Sequence, residues 1–151
     1  MLEKEKKEME SFSGPEGNSS ERVAKALRGF QDVSDEVSSR ASYNGFLSSI
    51  GNNHAGSYYP IILTAFPDLK AILSSGDRWP QHSVIECMID LVASFSPSQE
   101  VFRGESLSKT MLGEILALEE LIYAISADSD YAAASAKELL SLLEEEKESW
   151  S

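Results

Sequence analysis

Few side chains in this 151-residue chain are of a type and spacing that could do chemistry. His54 and His82 are the only histidines and Cys87 the only cysteine. A zinc or iron site needs several His, Cys, Asp or Glu ligands at short, matched spacing, and no such cluster is written here. Cys87 lies five residues beyond His82, which on a helix turns the two toward different faces and prevents shared ligation. His54, in Asn53-His54-Ala55-Gly56, reads as a surface contact, and His82 as a residue packing near Trp79. No serine sits in a nucleophile elbow and no Gly-rich loop follows a strand; the serines are scattered through caps and linkers.

The carboxylates carry more information. Glu86 and Asp90 stand four residues apart on the polar strip of one helical pattern, where like charges cost a few tenths of a kcal/mol. A solvated strip tolerates that cost, so the ordinary reading is exposure. The functional reading is that Glu86 and Asp90, with Glu114, Glu119 and Glu120, face a basic partner. Carboxylate pairs also serve hydrolases as acid and base, but that chemistry needs a pocket and an environment that splits their acidities, and the sequence signals neither. The expectation is therefore no catalytic residue, no metal ligand and no cofactor. Tyr58, Tyr59 and Trp79 are aromatic types used both as core filler and as interface anchors. On a helix Tyr58 and Tyr59 would point about 100° apart, so one packing face could not bury both.

The elements that must hold these residues read as helices. Ser19 or Ser20 caps a helix with Val23, Ala26, Leu27 and Phe30 at helical spacing, and Asp32 or Ser34 opens a short segment through Val37. Tyr43, Phe46, Leu47 and Ile50 form the next stripe, which stops at Gly51-Asn52-Asn53-His54-Ala55-Gly56. Ser57 then caps a helix through Leu73 that Pro67 should kink near Ala65 and Phe66. Pro80 opens a strongly apolar core helix carrying Val84, Ile85, Met88, Ile89, Leu91, Val92 and Phe95. After a loop over residues 98–106, Met111, Ile115, Leu118, Ile122 and Ile125 describe one helix over residues 107–125. Asp128 or Ser129 caps the last, from Tyr131 to about Lys147, whose Glu144-Glu145-Glu146 opposes the helix dipole and should fray. No segment alternates with period two, so the fold class is all-α, a compact stack of antiparallel helix pairs over residues 21–151. Residues 1–20, charged and then rich in Ser and Gly, are expected to be a disordered tail.

Bulk properties exclude several functions. The net charge is −12, and it is uneven: residues 1–85 hold 11 acids and 9 bases, residues 86–151 hold 14 and 4. That field repels nucleic-acid phosphates and anionic membranes. A lone cysteine cannot form an internal disulfide, the first residues lack the apolar centre of a signal peptide, and no apolar run approaches ~18 residues. A cytoplasmic protein is the expectation.

Residues 57–95 resemble a HEAT repeat: a first helix kinked by Pro67, a turn at Gly76-Asp77, and a second helix turning Val84, Ile85, Met88, Ile89 and Val92 inward. Asn53-His54-Ala55-Gly56-Ser57-Tyr58-Tyr59-Pro60 looks like the entry to such repeats in small bacterial HEAT-like proteins, including immunity-type proteins. Gln81 or His82 takes the place where many HEAT repeats carry an arginine, which argues against an Asp–Arg ladder. The resemblance implies a helical protein-binding module, an immunity protein that occludes a basic toxin or enzyme; the alternative is an adaptor that binds a peptide or subunit, with a hydrolase third.

Overall fold

The computed structural model describes residues 19–150, so most of the expected tail lies outside the described residues. Within them the chain is all-α, with seven helices: α1 (Ser20–Gly29), α2 (Glu36–Ser49), α3 (Phe66–Ser74), α4 (Arg78–Ala93), α5 (Leu107–Leu116), α6 (Glu119–Ser126) and α7 (Tyr131–Trp150). Five two-residue strands join them: β1 (Gly51–Asn52), β2 (Ser57–Tyr58), β3 (Ser96–Pro97), β4 (Val101–Phe102) and β5 (Glu105–Ser106). No described helix is long and apolar enough to cross a membrane.

α4 is the axis of the molecule. Its Pro80, Gln81, Ser83, Val84, Ile85, Cys87, Met88, Ile89 and Leu91 are all buried, so it is enclosed on most of its circumference, as its apolar pattern foretold. It packs against α7, α2 and α3, and α7 packs in turn against α6. Buried side chains from all seven helices join in one continuous apolar cluster. Cys87 lies inside it, and burial pushes its thiol pKa well up.

Local chemistry explains where the elements depart from expectation. The segment opening at Asp32 and the Tyr43 stripe are one helix: Asp35 accepts from the Ser38 amide at 2.7 Å while Ser38 Oγ accepts from the Asp35 amide at 3.1 Å, a closed capping box that starts α2 after Asp35. The expected helix from Ser57 to Leu73 is broken, not kinked. Ser57 and Tyr58 are extended and pair with β1 and, in parallel, with β3; Pro60–Thr64 is a 3-10 turn; and α3 starts only at Phe66, with Pro67 in its first turn where its missing N–H costs nothing. The helix expected over 107–125 also breaks, at Ala117 and Leu118, into α5 and α6, and the last helix is opened by Asp130, whose Oδ1 accepts from Ala133 N at 2.9 Å. The 98–106 loop contains a small hairpin whose turn places Arg103 and Gly104 at φ 54° and 79°.

Gly51 is required by close approach. A Cβ there would stand 2.0 Å from the Ser57 carbonyl oxygen, so only glycine permits the β1–β2 pairing that closes the 51–58 loop.

Candidate functional site

A half-buried strip of α4 carries Trp79, His82, Glu86 and Asp90, spaced three, four and four residues apart and therefore on one face. α2 and α7 flank it. At its N-terminal end the Trp79 ring stacks on Tyr131 of α7, with centroids 3.7 Å apart and planes 14° from parallel. The His82 ring meets both edge-on, 5.2 Å from Trp79 and 5.7 Å from Tyr131. The expected packing of His82 near Trp79 is thus present, but the stacking partner, Tyr131, comes from 52 residues away and no local signal marks it.

His82 is held from three sides. Its Nδ1 lies 2.7 Å from Ser39 Oγ on α2, and its Nε2 lies 3.5 Å from Glu86 Oε1. Glu86 also accepts from Ser135 Oγ of α7 at 2.7 Å. Burial lowers the pKa of His82 below 6.5, against the opposing pull of Glu86 and then Glu36. A neutral imidazole with Nε2–H toward Glu86 leaves Nδ1 to accept from the Ser39 hydroxyl.

A serine, a histidine and a glutamate in contact invite comparison with a hydrolytic relay, and the geometry argues for packing instead. Ser39 has no exposed surface and Ser83 Oγ donates to its carbonyl at 2.8 Å, so the Ser39 hydroxyl is enclosed where no substrate carbonyl can reach it. The triad stitches α2 to α4 to α7.

Below it the strip turns acidic. Burial raises the pKa of Asp90, and the charges of Glu86 and Glu138 raise it further. Tyr43 of α2 borders the same carboxylates: burial raises its pKa, and Asp90 and Glu86 add to the effect. No lysine or arginine among the described residues forms an ion pair with Glu86, Asp90 or Glu138. Two acids elsewhere are matched by bases. Asp130 receives Arg78 through Nε at 2.6 Å and through Nη2 at 2.7 Å, which holds its carboxyl down to about 2, and Glu119 pairs with Lys147 at 2.6 Å.

The remaining sequence candidates are dispersed. Glu114 on α5 and Glu120 on α6 are exposed, and no contact joins them to the strip; Glu119 is engaged by Lys147. His54 is exposed in the turn between β1 and β2. Tyr58 is 1% exposed, and burial, with Glu100 adding to it, raises its phenol pKa, so Tyr58 is core and not a contact. Tyr59 is half-buried against the core. The expected difference in burial between the two tyrosines holds, but it follows from alternation along an extended segment, not from helical rotation. Ser39, Tyr43, Tyr131, Ser135 and Glu138 are the site residues that the sequence did not single out. Comparison with protein-family models, curated proteins and solved structures finds no match.

Proposed function

We propose that this chain is a cytoplasmic protein-binding module, an acidic immunity-type protein that captures a basic toxin or enzyme on the α2–α4–α7 face and neutralises it by occlusion. The observation that carries the reading is the group of Glu86, Asp90 and Glu138 on the same α4–α7 face whose other end carries the Trp79–Tyr131 stack. Asp90 faces the like charges of Glu86 and Glu138, and none of the three forms an ion pair with a lysine or arginine among the described residues, a cost that a cationic partner would relieve. The aromatic pair at the other end of the same face would offer an arginine side chain a stacking surface. Long-range attraction by a chain of net charge −12 would speed encounter, while the few desolvated contacts would set residence time.

The test is capture from the source cell with the full chain and with a Glu86→Gln, Asp90→Asn, Glu138→Gln variant, at low and at high salt. One basic toxin retained by the wild-type chain, released as salt rises and not retained by the variant, is the expected result. A non-toxic subunit would move the reading to the adaptor. Nothing retained at either salt would remove both.

A further inference from the structure

A cavity of about 250 Å³ opens where the C-terminal end of α4 meets β2, β3, α5 and the C-terminal part of α7. Leu91, Phe95 and Met111 wall its apolar side, and Tyr58, Glu100 and Glu146 are its hydroxyl and carboxylate residues. We propose that this cavity binds a small primary amine, with the ammonium group held by the Tyr58 hydroxyl and the Glu100 and Glu146 carboxylates and the apolar body packed on Leu91, Phe95 and Met111.

Each polar group has bonding capacity that the fold does not use. Tyr58 is 1% exposed, and its hydroxyl has no hydrogen-bond partner among the described residues. No fully enclosed side-chain oxygen among them is unsatisfied, so the sliver of Tyr58 that stays accessible includes the hydroxyl, on the cavity it lines. Burial, with Glu100 adding to it, raises the phenol pKa, so the group is neutral and its oxygen can accept. Glu100 is fixed by Ser106 and Ser108, whose hydroxyls both donate to Oε1, and Oε2 has no donor among the described residues. Those two bonds lower the Glu100 pKa, which keeps it ionised at neutral pH. Neither Glu100 nor Glu146 forms an ion pair among the described residues; Lys147, next to Glu146, goes to Glu119 and Glu144.

The count of donors selects the ligand. Three acceptor groups match the three N–H donors of an ammonium, whereas a guanidinium would leave two of its five donors unmet. Two carboxylates repel an anion. A divalent cation needs about six oxygens or more, and no group of His, Cys, Asp and Glu among the described residues could hold one. The cavity lies below the ~300–1,000 Å³ of drug-sized sites, which restricts the occupant to a small molecule. The inference does not depend on the partner-binding reading.

The test is a titration of the full chain with benzylamine, followed by amide chemical shifts. Expected is saturable movement confined to the cavity walls, residues 91–97 and 108–112. Benzyl alcohol, which has the same shape without the charge, should bind about tenfold more weakly. Tyr58→Phe and Glu146→Gln should each weaken benzylamine by about tenfold, the loss of one charge-assisted hydrogen bond. Glu146→Gln alters only the rim, so its result stands even if Tyr58→Phe weakens the fold. No saturable shift at about 10 mM probe, equal binding of benzyl alcohol, shifts centred on the Glu86–Asp90 strip, or unchanged affinity in Glu146→Gln would each overturn it.

Discussion

Asp90 and His82 each sit about one turn from Glu86 on the same helix, on opposite sides of it along the axis, yet respond to pH in opposite directions. Burial and the like charges of Glu86 and Glu138 raise the Asp90 pKa above 3.8, so the folded state binds its proton first and the ionised form is a liability at neutral pH. Asp90→Asn should therefore stabilise the chain at pH 7 by roughly 0.5 kcal/mol, the size of one like-charge helix pair, measured as a higher urea midpoint at unchanged slope. His82 is lowered by burial, so the unfolded state binds its proton first. Its contribution is complete above about pH 6.5 and is lost as pH falls through the folded value. His82→Gln should flatten the decline of the urea midpoint between about pH 6.5 and pH 5; an unchanged slope would mean that another group titrates there. The like-charge spacing of Glu86 and Asp90 was visible in the sequence. The contacts that give it meaning, from Ser39, Ser135, Tyr131 and Glu138, join residues about 40 to 50 positions apart, and no periodicity encodes such pairings.

Among the elements, α4 was legible because an apolar pattern this dense leaves a helix no choice but the centre. The breaks were not. Ala117-Leu118 contains neither glycine nor proline, so nothing local divides α5 from α6, and Pro67 alone does not distinguish a kinked helix from a fresh start at Phe66. Ser19 caps α1 as expected, but at α2 and α7 several Asp and Ser residues compete near the start, and there Asp35 and Asp130 make the required bonds. Two substitutions test this account. Gly51→Ala should cost more than about 2 kcal/mol, because the added methyl meets backbone that cannot rotate away. Arg78→Ala removes the bidentate tie to Asp130 and the bond to Gln81 Oε1, and should cost about 2 kcal/mol, read from thermal or urea unfolding.

At the scale of the whole molecule, the all-α class followed from the sequence, whereas the HEAT-like pairing rested on a helix from Ser57 that the structure replaces with a strand and a 3-10 turn. The account of function rests on one face, on which α4 and α7 carry carboxylates not paired with lysine or arginine and, at its other end, stacked aromatics, while Asp130 and Glu119 are paired elsewhere. Trp79→Ala should weaken capture of the partner by about 2 kcal/mol or more, the cost typical of an aromatic interface anchor. The most direct measurement is amide hydrogen exchange of the full chain with and without the captured partner. The account predicts slowed exchange along the outward sides of α2, α4 and the N-terminal half of α7, with the β4–β5 hairpin and α5 unchanged. Protection confined to the hairpin, α5 or α6, with the α4 strip unaffected, would contradict it.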